Sequence, residues 1–371
     1  MIKLFISYVN RIFMKKKILF LAANLLSGGA ERQIVTVARL LKRRGHDVSF
    51  YCYGKGDFYG HLLQEDNIPV KWEYSFNNPL KRIGKVRRYV RRGGYNAVIS
   101  FLPAENFLND ISAIGGRKWK VITGLRFCPT GAPITPKNRI YAWMLRYSDA
   151  IVSNSRLAME TWCGFCPSHR EKFHVIYNNT QIGVVHTKYI PKRDGKLHIV
   201  VAASFQELKN PQGLLASLDL MSEKERECVV IDWYGANVGP VFQQTANAIS
   251  DKGYGDVFRL HEPVEDIHEK MNQADAVMLL SHREGLPNAI CEAMKLGKPV
   301  IMSQVSDYNV LIDESNGFLC DSHDPVSIKE AIVDLAGCTV EQLLSMGVAS
   351  KEKADRLFSD EVITNNWELI I

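Results

Sequence analysis

Residues 18–53 read ILFLAANLLSGGAERQIVTVARLLKRRGHDVSFYCY, and the order of patterns within them decides the fold. Ile18 to Ala23 is an apolar run closed by the glycine loop Ser27-Gly28-Gly29. Ile34, Val37, Ala38 and Leu41 then recur at helical spacing, Lys42-Arg43-Arg44 fill the last turn, and Gly45 stops the helix. Val48 to Tyr53 is a second apolar run. Strand, glycine loop, helix and strand make a βαβ unit, so the first run is a core strand of a parallel sheet. The stretch also imitates a secretory signal, with Met14-Lys15-Lys16-Lys17 ahead of Ile18–Leu26 and small residues after it. The amphipathic helix that follows at once argues against cleavage. The apolar segment is also about half of what a membrane-spanning helix needs.

The pattern repeats outward from this unit. Strand-like runs at Ala97–Phe101, Val121–Gly124, Ala150–Val152 and Val175–Tyr177 alternate with helical segments. A second series follows at His198–Ala202, Val229–Tyr234, Val257–Leu260, Ala276–Leu280, Pro299–Ser303 and Gly317–Leu319. Such alternation implies α/β architecture: two Rossmann-like, doubly wound parallel-sheet domains facing each other across a cleft, with ligands at the carboxyl ends of the strands. The expected organisation is an N-terminal extension over 1–13, a first domain over 14–182, a polar linker over 183–196 with Pro191 and Gly195, a second domain over 197–355, and a closing helix within 356–371 that returns to the first domain. Before Met14, Ile2, Phe5, Ile6, Val9 and Phe13 share one helical face, which suits either a helix lying on a membrane surface or a terminal tail outside the fold.

With 371 residues, 46% hydrophobic and 23% charged, the chain can bury two cores, and its composition excludes a disordered, collagen-like or disulfide-scaffold protein. The net charge of +6 conceals an asymmetry: up to Thr180 there are 29 Lys+Arg against 11 Asp+Glu, and from Gln181 onward 17 against 29. The 8 cysteines are scattered and mostly lie in apolar runs, which points to a reducing cytoplasm.

The chemistry concentrates in Ser281-His282-Arg283-Glu284-Gly285-Leu286-Pro287-Asn288, with Glu292 inside the helix that follows. Gly285 permits a tight turn, Pro287 suits the first helical position, and the free N–H groups of the helix start make an anion site for which a diphosphate is the expected ligand. One carboxylate can reach a sugar while the other accepts hydrogen bonds from a ribose diol. Lys209, in the loop Ser204–Pro211 after the first strand of the second domain, is placed as a point charge for phosphate oxygens. Gly28 and Gly29 let backbone approach the same ligand from the first domain.

Gly28-Gly29-Ala30-Glu31-Arg32, Lys209-Asn210-Pro211 and Glu284-Gly285-Leu286-Pro287-Asn288, with Glu292-Ala293 and Gly297-Lys298-Pro299-Val300, together resemble retaining glycosyltransferase family 4 of GT-B architecture. The likeness runs from about Met14 to the end, and its two-glutamate segment is the most specific part. It implies transfer of a hexose-type sugar from a UDP- or GDP-sugar, with retained configuration and no obligatory metal or other cofactor, to a lipid-linked or surface-polysaccharide glycan. By resemblance Glu284 contacts the donor sugar, Glu292 holds the ribose, Lys209 neutralises the pyrophosphate, and Pro263 and Val264 border the nucleobase. Arg126, Asn106 and Glu31 are the expected acceptor-side residues. Where the family commonly carries an Arg five positions before the phosphate Lys, this chain has Ser204, so Arg283, Arg126 or another residue has to supply that charge.

Other signals compete. Trp162-Cys163-Gly164-Phe165-Cys166 copies a redox motif and, with His169 and His174, a loose zinc pattern, but its mid-chain place favours a reduced loop. Leu80–Arg92 carries seven cations around an apolar stripe, which suits an anionic membrane surface or a solvated helix packed on the sheet. Nucleic acid is set aside as a partner because stacking platforms and binding modules are missing. The sequence therefore reads as a cytoplasmic enzyme attached peripherally to the inner face of the membrane. The alternatives are a non-catalytic binder of nucleotide-sugars or anionic polymers, and a nucleotide-sugar epimerase on the same architecture.

Overall fold

The computed structural model describes residues 14–74, 78–126, 136–192 and 194–371, so the amphipathic face read over residues 1–13 lies outside the described residues. The chain divides into two compact units, one running up to Asn179 with Asp360–Ile371 added, the other Thr180–Ser359.

The first unit holds a parallel sheet of seven strands: β1 (Lys17–Ala22), β2 (Asp47–Cys52), β3 (Val70–Trp72), β4 (Ala97–Ser100), β5 (Lys120–Leu125), β6 (Ala150–Ser153) and β7 (Phe173–Val175). Their order in the sheet is β3-β2-β1-β4-β5-β6-β7. In β1 only Lys17 is exposed while Ile18 to Ala22 are buried, the continuous apolar run of a strand covered on both faces. Ile18 pairs with both Val48 and Ala97, so β1 is central. The helix Gly29–Arg43 buries Ile34, Val37, Ala38 and Leu41 and ends before Gly45, whose φ of +93° is costly for any residue with a Cβ. Leu19, Leu21, Val98, Val121, Val86 and Val90 share one core cluster, and burying each such side chain is worth about 1.5–3 kcal/mol.

The second unit repeats the plan with β8 (Leu197–Ala202), β9 (Val229–Tyr234), β10 (Phe258–His261), β11 (Ala276–Leu279), β12 (Val300–Ser303) and β13 (Gly317–Cys320), ordered β10-β9-β8-β11-β12-β13. In each sheet the order reverses once, between β1 and β4 and between β8 and β11. In each sheet taken by itself, the loops leaving those strands mark the switch point at which such sheets bind ligands.

Several local expectations change. Strand β3 went unrecognised because three residues, Val-Lys-Trp, are too short for a periodicity to show. β7 begins two residues earlier than Val175. Of residues 183–196, read as a linker, the described ones, 183–192 and 194–196, are held within the second unit. Gly183 N donates to His268 Nδ1 at 2.9 Å, and Tyr189 Oη and Lys192 N both donate to Asp275 Oδ1 at 2.8 Å. Polar, Pro- and Gly-bearing sequence correctly signalled irregular backbone, but its N–H groups find side-chain acceptors. The terminal helix Asp360–Ile370 belongs to the first unit, where Trp367 stacks on Phe101 at 5.7 Å and Glu368 Oε1 lies 3.1 Å from His46 Nε2.

Trp162–Phe165 is the end of the helix Arg156–Phe165 and not a loop, and Cys163 and Cys166 are buried thiols whose pKa burial raises. The basic helix, Pro79–Arg92, packs Val86 and Val90 on the sheet, as one of its two expected readings has it, but not all of its cations are simply solvated. Arg87 donates to the carbonyls of Ile111 and Ile114, both at 2.7 Å, and Arg91 to those of Ser112 and Ile114 at 3.3 and 3.2 Å. These two cations serve the carbonyl end of the helix Pro103–Ala113, where the helix dipole favours positive charge. Lys81, Arg88 and Arg92 stay exposed, and Lys85 pairs with Glu73 at 3.0 Å. Among the described residues no single helix is long and apolar enough to cross a membrane.

Candidate active site

In the second unit the loops leaving β8 and β11 meet at the switch point. His282 N donates to Leu208 O at 2.9 Å, which joins the two loops by backbone. That joint brings Lys209 to Glu284: Lys209 Nζ lies 2.5 Å from Glu284 Oε1, with side-chain exposures of 20% and 14%. Ser281 Oγ donates to the same oxygen at 2.7 Å. The carboxylate is thus fixed by one cation and one hydroxyl while the pair remains reachable from solvent.

Lys209 is itself held in place. It closes a short 3-10 turn, and Asn210 after it adopts φ +63°, accepts from Gly213 N at 2.9 Å to cap the next helix, and donates to Ser322 O at 2.7 Å. An Asn tolerates this left-handed conformation better than most residues. The Glu284 side is held by two serines. Ser303 Oγ donates to Ser281 O at 2.6 Å, and Ser306, with φ +54°, donates to Gly285 O at 2.5 Å. Four loops, after β8, β11, β12 and β13, are therefore tied together around one turn.

That turn feeds the helix Asn288–Lys295, for which Pro287 is the N-cap and not the first helical residue. Ile290 N and Cys291 N both bond to Pro287 O at 3.1 Å, so the N–H groups of Asn288 and Ala289 lie ahead of the first intrahelical bond. A helix start beside a lysine is a favourable place for an anion. Leu286 is buried beneath the turn. Glu292, one helical face further on, is 9% exposed, and His268 Nε2 stands 3.5 Å from its Oε2. Because His268 Nδ1 accepts from Gly183 N, its proton sits on Nε2, toward Glu292. Pro263 is exposed and Val264 half-buried in the loop after β10, close in sequence to His261, which stacks on Tyr234 at 4.4 Å.

The first unit carries the remaining expected residues at its own switch point. Gly28 is the N-cap of the helix Gly29–Arg43, and a Cβ there would collide with the Glu31 carboxylate, which folds back over the helix start. Gly29 has open space around its Cα. Glu31 lines a small crevice with Ala22, Asn24, Phe101, Leu102 and Glu105. Glu105, not singled out from sequence, is buried and accepts from Tyr53 Oη at 2.7 Å, and burial raises its pKa. Arg126 lies 3.8 Å over the Phe101 ring and donates to Asn178 Oδ1 at 3.1 Å; burial lowers its pKa to about 9. Asn106 is buried, accepts from Ser100 Oγ at 2.8 Å and donates to Gly124 O at 2.9 Å. Both ends of its amide tie β4 to β5, which makes it a fold contact and not an open acceptor-side group.

The sequence reading missed Ser281, Ser303, Ser306, Asn210 and His268. Ser303, Ser306 and His268 act by contacts distant in sequence, whereas the Ser281 hydroxyl reaches Glu284 three positions on, and Asn210, just before Pro211, carries a local signal, the helix cap.

Known proteins match this chain in both halves. Residues 27–180 match the model described as Glycosyltransferase Family 4, and residues 186–352 match that described as Glycosyl transferases group 1. A D-inositol 3-phosphate glycosyltransferase of Xylanimonas cellulosilytica is 32% identical over 133 residues, 35% of this chain and 31% of that protein. The amylovoran biosynthesis glycosyltransferase AmsK of Erwinia amylovora is 24% identical over 207 residues, 53% of this chain and 49% of that protein. The chain thus spans about half or less of either relative. The crystal structure of Anabaena Alr3699/HepE in complex with UDP superposes with a TM-score of 0.79 at 18% identity, covering 95% of this chain and 98% of that one. The fold is therefore the GT-B type: two Rossmann-like parallel sheets of seven and six strands.

Proposed function

We propose that this chain, a Glycosyltransferase Family 4 domain followed by a glycosyl transferases group 1 domain, is a retaining glycosyltransferase. Its donor is a UDP- or GDP-hexose and its acceptor a lipid-linked or surface-polysaccharide glycan. The observation that carries this reading is the Lys209–Glu284 pair with Ser281, set on the turn that opens the helix Asn288–Lys295. A sugar leaving group of the diphosphate type departs with negative charge, and a lysine beside helix N–H groups is what stabilises it.

In this proposal Lys209 and the backbone N–H groups of Gly285, Leu286 and Asn288 take the diphosphate across the turn that Pro287 shapes, and Glu284 faces the donor sugar. Glu292, with His268 Nε2 3.5 Å from its Oε2, accepts from the ribose hydroxyls, and Pro263 and Val264 flank the base. Similar proteins agree with a nucleotide-sugar donor and a glycan acceptor: Alr3699/HepE is crystallised with UDP and with UDP-glucose, and AmsK is named for amylovoran biosynthesis. In the first unit Gly28 and Gly29 are assigned to the donor and Glu31 and Arg126 to the acceptor, and the proposal sets the enzyme at the inner face of an anionic membrane.

The test is release of nucleoside diphosphate by the purified protein across a panel of UDP- and GDP-sugars, with anomeric analysis of the product. Turnover with one donor that falls about a hundredfold or more in Glu284→Ala and Lys209→Ala supports the reading. Inversion at the anomeric carbon would remove the retaining assignment. Isomerised sugar released without an acceptor would point to an epimerase.

A further inference from the structure

The helix Pro136–Met144 is apolar on two sides. Ala142 and Met144 are buried, and Tyr141, Met144 and Leu145 line an internal crevice with Phe107 and Trp162. On the opposite side Ile140 and Trp143, three positions apart and so neighbours on one face, are 56% and 50% exposed. A half-exposed indole beside an exposed isoleucine is not needed by the core, which the other face already serves.

Two exposed arginines, Arg139 and Arg146, flank this pair in sequence. The Arg146 guanidinium lies 4.4 Å from the centroid of the Trp143 ring, and Tyr147 meets the same ring edge-on at 6.2 Å. Arg139 is exposed one position before Ile140, and Lys172 Nζ donates to Arg146 O at 2.8 Å. Among the described residues no carboxylate makes an ion pair with Arg139 or Arg146. An indole and an aliphatic side chain flanked by guanidinium groups match the layered chemistry of an anionic bilayer surface. The ring suits the headgroup level, the isoleucine the acyl boundary, and the cations the lipid phosphates. A protein partner would satisfy the apolar pair equally well, but the two exposed guanidinium groups, one of them against the indole face, favour an anionic lipid surface.

We propose that Ile140 and Trp143, with Arg139 and Arg146, are the contact through which this protein docks on an anionic lipid bilayer. This locates the membrane part of the preceding proposal, on which it rests, and it moves that contact away from the basic helix Pro79–Arg92, two of whose cations are bonded to carbonyl groups at the end of the helix Pro103–Ala113.

The test is co-flotation of the full chain with mixed phosphatidylcholine–phosphatidylglycerol vesicles and with pure phosphatidylcholine vesicles. Wild-type protein should bind the anionic vesicles only, more weakly as salt rises. Ile140→Ser with Trp143→Ser, and separately Arg139→Glu with Arg146→Glu, should each lower binding by about tenfold or more. Both variants should keep the wild-type melting temperature, because the substituted side chains are exposed. Arg88→Glu with Arg92→Glu should lower binding much less. Wild-type vesicle binding by either patch variant overturns the proposal. So does a shift from dimer to monomer in the serine variant on gel filtration, which would make the patch a contact between two copies. Nucleoside diphosphate release without vesicles reads the enzyme separately. Vesicle binding without turnover would remove the transferase reading and leave the docking surface, and turnover without vesicle binding would do the reverse.

Discussion

In the free protein Lys209 is paired with Glu284 at 2.5 Å, so a diphosphate has to share or displace an existing partner. A phosphate oxygen accepting from the same Nζ at about 2.8 Å would bring its charge to about 5 Å from the carboxylate. At an effective dielectric of about 20, two unit charges at that separation repel by about 3 kcal/mol. The pair is 20% and 14% exposed, so water and salt reduce this to about 1–2 kcal/mol. Glu284→Gln removes the charge, keeps the shape and still accepts from Ser281. UDP, the leaving product, should therefore bind Glu284→Gln roughly 5- to 30-fold more tightly than wild type, while release of UDP from a UDP-sugar slows by about a hundredfold. Titration calorimetry with UDP and initial rates measure the two effects separately. Lys209→Met should weaken UDP binding, and in the double variant the gain from Glu284→Gln should disappear, because the gain depends on the lysine. Unchanged or weaker UDP binding by Glu284→Gln would refute the assignment of Lys209 to the diphosphate.

Three further outcomes follow from the fold. Arg87→Ala should destabilise the first unit by about 1–2 kcal/mol in denaturant unfolding, since it removes a charged donor from two helix-end carbonyls, whereas Arg88→Ala should stay within about 0.5 kcal/mol. His46 titrates below its usual 6.5, first because burial disfavours the imidazolium, so the unfolded chain binds the proton more readily than the folded one. Its contribution is complete above pH 6.5 and is lost as pH falls through the lower folded value; melting temperature should drop on acidification, less steeply in His46→Gln. Among the described cysteines, Cys228 is exposed while Cys163, Cys166, Cys291 and Cys320 are buried with raised pKa values, so a thiol reagent should modify Cys228 first and the others only on unfolding.

Much of the architecture was legible because parallel strands covered on both faces are near-continuous apolar runs. Val229–Tyr234 and its counterparts announce themselves, and the helices between them carry a 3.6 period with glycine stops such as Gly45. What failed was short or compositional. The three residues of β3 hold too few positions for a pattern, and the seven cations of Pro79–Arg92 look alike in sequence although Arg87 and Arg91 turn toward carbonyl groups and Arg88 and Arg92 toward solvent. A charge run reports composition, and the partner of each cation depends on which helix end packs beside it.

The candidate site divides along the same line. Gly285, Pro287 and Glu292 could be placed because turn chemistry and helical spacing are local. The partner of Lys209 could not, since Glu284 is separated from it by 75 positions and meets it only because β8 and β11 are neighbours at the switch point. Sequence counting left the second unit short of cations, with Ser204 where a second was expected. The structure makes that shortage sharper, because the one lysine at the turn is already neutralised by Glu284. An anion arriving there gains little from net charge and depends on the helix start, on the rearrangement of one ion pair, and on the serine and asparagine bonds that hold four loops in register. Loosening those bonds should therefore weaken diphosphate binding even with Lys209 intact. Ser306→Ala, which removes the bond to Gly285 O, is the variant in which that separation of charge from geometry can be measured against Lys209→Met.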